Sequence, residues 1–175
     1  MHIRFRLSKR SFRHESTKDS NERRLTFHDA WKVNGRLRVG DKGEVHCGAV
    51  HIREGIPSKS EFATLSYVPS EKTFNGKTYP HLFQADIHIL PETFNYLLNL
   101  DEEQTIVELS LGFDAITGNF KWDSSDEDDE DIYWDIASKS HTDCFFEIAD
   151  SVEISTFPRE RTDIEGRLSQ NQRSR

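Results

Sequence analysis

No run of apolar residues in this chain approaches the 18 or so needed to cross a bilayer as a helix, which excludes a transmembrane helix. Cysteine is scarce: Cys47 and Cys144 are the only two in 175 residues, too few for a disulfide scaffold and more in keeping with an intracellular protein. Catalytic signatures are missing as well. The chain has no Gly-x-Ser-x-Gly elbow, no P-loop, no glycine-rich dinucleotide motif and no His-Glu-x-x-His pair. A Cys–His nucleophile can be written on paper, but a reactive thiol needs a depressed pKa and partial exposure. Enzyme activity is therefore left open, with the balance against it and no catalytic residue assigned. The amino-terminal residues Met1–Leu7 contain no apolar signal core, and the expected location is the cytoplasm.

Apolar residues are also few, at 34%, against 31% charged. Leu, Ile, Val and Phe still make up 43 residues, about 25%, above the roughly 20% below which a charged chain is usually disordered. A core can form, with much of the charge outside it. The net charge of −8 is unevenly spread. Residues 1–53 hold 13 basic and 6 acidic residues, and residues 54–175 hold 10 and 25. An acidic whole lacks the dense basic surface a general nucleic-acid binder needs, so nucleic acid is not an expected partner.

What is present is mostly strand pattern. Ile3, Phe5 and Leu7 alternate with His2, Arg4 and Arg6. Residues 9–24 have one apolar member, Phe12, and six basic residues, and read as a mobile basic loop. Asn34-Gly35 between Trp31-Lys32-Val33 and Leu37-Arg38-Val39 is a hairpin signal, since the pair accepts the two positive φ angles of a type I′ turn. Gly48 sits where alternation changes phase and predicts a bulge. Further strands are expected over 62–68, 83–89, 107–113, 120–122, 132–136, 144–149 and 152–155. Phe94, Leu97 and Leu98 follow Pro91 and Glu92 at helical spacing, predicting one short helix near 91–100. The expected fold is all-β, a mainly antiparallel sandwich or barrel with that helix. It forms a single domain over 1–157, followed by a polar flexible tail over 158–175.

The most unusual segment runs from Trp122 to Asp135, with eight carboxylates in fourteen residues. It is an acidic loop at 123–131 bracketed by tryptophans. Its bland reading is a solvated loop kept extended by self-repulsion. Its functional reading is a docking site for a basic protein, with Asp126, Glu127, Asp128, Asp129, Glu130 and Asp131 steering the partner and Trp122 and Trp134 anchoring it. Calcium is a third reading, since all-oxygen clusters suit a hard cation, but an EF-hand started at Asp126 has Asp131 where glycine belongs and Ala137 where glutamate belongs. Cys47, His51, His141 and Cys144 form a chemically sensible zinc set, at spacings that match no standard pattern.

The function expected from these features is a non-catalytic protein-binding, adaptor or inhibitor module, of the kind found among immunity-type proteins. The alternative is a zinc- or calcium-dependent binding protein or hydrolase. No cofactor is otherwise implied, and oligomeric state is not legible.

Overall fold

The computed structural model describes residues 1–40, 45, 47–55, 62–74, 76–79, 81–114, 118–122, 131–135 and 145–160. It is mostly β with one short helix, as the pattern predicts. The strands are β1 (His2–Ser16), β2 (Asn21–Lys32), β3 (Leu37–Val39), β4 (Cys47–Glu54), β5 (Ala63–Pro69), β6 (Thr73–Phe74), β7 (Lys77–Thr78), β8 (His81–Ile89), β9 (Thr105–Gly112), β10 (Phe120–Trp122), β11 (Ile132–Trp134), β12 (Phe145–Ile148) and β13 (Ser151–Pro158), with helix α1 (Pro91–Leu98) between β8 and β9. Eight strands form one sheet in the order β12-β5-β8-β4-β2-β1-β9-β13. All its pairings are antiparallel except β4 with β8. A small sheet, β10-β11-β3, and the hairpin β6-β7 complete the described strands. Among the described residues no helix is long and apolar enough to cross a membrane.

One face of the large sheet is the core. Ile3, Phe5 and Leu7 of β1 are buried with Val50 and Ile52 of β4, Leu65 of β5, Ala85 and Ile87 of β8 and Leu109 of β9. Helix α1 adds Phe94 and Leu97, and the small sheet adds Leu37, Val39, Phe120, Ile132 and Trp134. Each fully buried side chain of this size contributes roughly 1.5–3 kcal/mol. Pro91 starts α1, where its missing N–H costs nothing. Its C-terminal end is tied to the sheet: the Arg10 guanidinium donates to Leu97 O in the last turn and, at 2.9 Å, to Leu100 O just beyond the helix.

Three local expectations need correction. Residues 9–24 are largely strand: β1 and β2 form one long hairpin closed by the turn 17–20, where Thr17 N donates to Ser20 O at 2.7 Å. Side-chain pairs hold its polar arms together, including Ser11 Oγ with His28 Nε2 at 2.6 Å and His14 Nε2 with Asn21 Oδ1 at 2.5 Å. The helix supports it from the core side, where Arg23 lies 5.0 Å from the Phe94 ring and 5.8 Å from that of Phe12. These supports come from residues distant in sequence, which a local pattern does not register. At Asn34-Gly35 both φ angles are positive, as the turn requires. The strands on either side nevertheless part company: β2 stays in the large sheet, and β3 pairs with β11 in the small one.

The bulge expected at Gly48 lies on the facing strand. Phe27 pairs with Val50 and Ala30 with Gly48, so His28 and Asp29 together oppose Ala49. Next to it Lys9 takes a left-handed φ of 56°. The irregularity turns Phe12 and Arg10 to the same face as Leu7, despite their even numbering. Gly48 serves a different need: a Cβ there would lie 2.0 Å from Phe83 O. Finally, β12 and β13 sit at opposite edges of the sheet yet are separated by two residues only. Ala149 N donates to Ala63 O of β5 at 2.9 Å, and Asp150 N donates to Gly112 O of β9 at 2.8 Å. The sheet is curled enough for one peptide step to bridge its edges.

Candidate functional site

The face of the large sheet opposite the core carries ordered rows of polar side chains. Register sets the rows. Arg13 pairs with Arg24, Arg24 with Arg53, and Arg53 with His88, across β1, β2, β4 and β8. The next row is Ser11, Thr26, His51, Asp86 and Thr64, ending on β5. On the other side of the arginines lies the pair Glu15 and Glu22.

Side chains within this lattice are tied to each other. Thr26 Oγ1 hydrogen-bonds His51 Nδ1 at 3.1 Å. The Gln84 amide donates to Asp86 Oδ2 at 3.0 Å, and Arg53 Nη2 lies 3.7 Å from Asp86 Oδ1. Arg53 also pairs with Glu22, and Arg13 with Glu15 at 2.9 Å. Burial lowers the pKa of His51. The negative charge of Asp86 opposes this, while Arg24, Arg53 and His28 add to it, so the ring is held neutral at pH 7. An open depression of about 490 Å³ lies here, lined by Arg53, Thr64, Gln84, Asp86 and His88. None of these side chains is apolar. A smaller recess of about 280 Å³ opens where β1 and β9 diverge, over Leu7, Phe27, Leu100 and Val107. Its rim groups Arg10 and Glu102 are already bound to each other.

The acidic segment emerges from the small sheet. Trp122, at the end of β10, is 53% exposed. Trp134, across the same hairpin, is 1% exposed and packs on Phe120 with ring centroids 4.9 Å apart. It is a core residue, because its parity on β11 is that of Ile132 and both face inward. Asp131 is likewise enclosed. Its Oδ1 accepts from Arg36 N at 2.6 Å, and its Oδ2 accepts from Arg36 Nε at 3.1 Å and Nη2 at 3.0 Å. Burial raises its pKa, but the Arg36 side-chain and backbone hydrogen bonds, the Arg36 charge and Lys32 outweigh that, and the net shift is downward. Of the expected partner-binding set, Trp122 is thus on the surface and Asp131 and Trp134 anchor the hairpin base. Asp126, Glu127, Asp128, Asp129 and Glu130 lie outside the described residues.

Of the expected zinc ligands, the two described, Cys47 and His51, do not converge. Cys47 and His51 share the outward parity of β4, but four residues of regular strand separate their Cα atoms by about 13 Å, too far for both to reach one ion. Cys47 is buried, and desolvation pushes its thiol up to about 11, with Asp29 adding to the shift and Lys72 opposing it. Such a thiol is a poor nucleophile. His141 and Cys144 lie outside the described residues. Among those described, no group of three or more His, Cys, Asp or Glu is arranged to hold a metal ion. Asp131, the one described member of the calcium set, is spoken for by Arg36. The row of three arginines and His88 was missed in the sequence, where its members stand at 13, 24, 53 and 88 with nothing local to link them.

In comparisons with known proteins the chain matches no family model, no curated protein sequence and no solved structure.

Proposed function

We propose that the protein is a non-catalytic binding module, an adaptor or inhibitor, that offers its acidic segment to a basic protein partner. The observation that carries this reading is the asymmetry of the β10–β11 base. Phe120, Ile132 and Trp134 are buried in the core and Asp131 is clamped by Arg36, while Trp122 projects into solvent. A large exposed aromatic beside a dense run of carboxylates combines an anchor with a steering field. Because the base is fixed, the entropy of ordering it is already spent before a partner arrives.

The test compares wild type with a variant carrying Ser or Asn at positions 126–130 and with Trp122→Ala, leaving Asp131 in place. Each is immobilised and exposed to cell lysate, and the captured proteins are identified. Wild type is expected to retain basic proteins released by salt, which the neutralised variant does not retain and Trp122→Ala retains weakly. The same captured set on all three would reject the reading.

A further inference from the structure

The polar outer face is independent of the acidic hairpin and points to a small-molecule ligand. We propose that it binds a phosphate monoester of a small hydroxylated molecule, with the phosphate held by Arg24 and Arg53 and the hydroxylated body over Thr64, Gln84 and Asp86.

Strand register alone sets Arg13, Arg24 and Arg53 side by side, with directly opposed Cβ atoms about 4.5–5.5 Å apart. Like charges so placed repel, and the fold keeps them together. The outer two have carboxylate neighbours: Glu15 for Arg13, and Glu22 and Asp86 for Arg53. The middle one, Arg24, has its Nε buried without a hydrogen-bond acceptor. An arginine Nε–H short of an acceptor, on a residue flanked in register by two further arginines, is completed by an oxyanion. Phosphate suits this best, since its oxygens match the planar fork of arginine and its charge screens the repulsion. On the neighbouring row Thr26 and His51 supply hydroxyl and imidazole partners.

The adjoining depression selects the rest of the ligand. At about 490 Å³ it has the volume of a small-molecule site, and its lining of Arg53, Thr64, Gln84, Asp86 and His88 offers donors and acceptors only. That lining suits a body carrying hydroxyl groups and disfavours an acyl chain or a flat aromatic. Glu15 and Glu22 stand beside the arginine row and repel a long polyanion, which restricts the ligand to a single phosphate.

The experiment is calorimetric titration of the full chain with ribose 5-phosphate, ribose and inorganic phosphate as probes. Ribose 5-phosphate is expected to bind more tightly than either of the others. Arg24→Gln should weaken it at least about ten-fold, the loss of a charge-assisted hydrogen bond. Arg24→Lys, which keeps the charge but not the fork, should fall between. Thr64→Val should weaken ribose 5-phosphate and leave inorganic phosphate unchanged. Arg6→Gln, on the same sheet face but paired with Glu108, should change nothing. Thermal melting within a few degrees of wild type certifies each variant as folded. The proposal is overturned if ribose 5-phosphate binds no better than ribose or inorganic phosphate. It is equally overturned if the folded Arg24→Lys and Arg24→Gln proteins bind like wild type.

Discussion

Replacing Asp131 by asparagine tests whether the hairpin base is held as described. The carboxylate is 6% exposed and accepts three hydrogen bonds from Arg36, one from its backbone and two from its guanidinium. Asparagine keeps the shape and one acceptor oxygen, so the backbone bond survives and the charge-assisted pair is lost. Hydrogen bonds to charged groups contribute about 1.5–3 kcal/mol. Because the Arg36 side chain is 47% exposed, water replaces part of what it loses. The net cost at pH 7 is therefore about 1–2 kcal/mol, or a fall in melting temperature of roughly 3–6 °C for a domain of this size. The pH dependence follows from the lowered pKa. A carboxyl depressed in the folded state stabilises above its ordinary value of 3.8 and loses that contribution as pH falls through the folded value. The gap between wild type and Asp131→Asn should thus be full at pH 5–7 and close in acid below about pH 4. Scanning calorimetry across this range reads both quantities. A variant melting within 1 °C of wild type at pH 7, on the roughly 0.3 kcal/mol this represents, would refute the clamp, as would a gap that persists in acid.

Other perturbations follow from the same geometry. Gly48→Ala forces a methyl against Phe83 O and the Phe83 ring, and should cost about 3 kcal/mol or more in urea denaturation. Lys9→Gly relieves a left-handed φ but takes the ion-pair partner from Asp29, whose side chain is 13% exposed, so the two effects should offset and leave stability within about 1 kcal/mol of wild type by urea denaturation. Cys47, with its thiol at about 11, should stay unlabelled by iodoacetamide at pH 8 in the native protein and react in urea, as read by peptide mass spectrometry. His51 should titrate below 6.5 by NMR. Its neutral form is the one the fold favours, so its contribution is present above pH 6.5 and lost as pH falls through the folded value, and His51→Gln should flatten that slope.

Strand parity made much of the core legible: Ile3, Phe5 and Leu7, then Phe83, Ala85 and Ile87, all buried as their alternation implies. The helix was equally plain from Pro91, Phe94 and Leu97. What was hidden is whatever depends on register. The bulge at His28–Asp29 puts odd-numbered Leu25 and Phe27 on the same face as even-numbered Ala30, so parity counted along β2 misassigns one end. Residues 9–24 become strand through a helix some seventy positions later, and hydrogen bonding between their own polar arms. The arginine row exists only when β1, β2 and β4 are aligned, and β8 then adds His88 to its end. Trp134 and Trp122 look equivalent as flanking tryptophans, yet Trp134 shares the inward parity of Ile132 while Trp122 stands at the exposed end of edge strand β10.

The two-residue step from β12 to β13 has a consequence for how the chain is made. Until Ala149 and Asp150 leave the ribosome, β5 and β9 both present unpaired backbone, and β1 already waits beside β9 across more than a hundred residues of sequence. Non-local pairing of this kind is slow, and open sheet edges recruit other chains. One late segment pairs with both of these strands at once. The vulnerable interval is therefore the time needed to synthesise the chain from β9 to β13, and a codon change or stall in that stretch should govern yield more than one placed earlier.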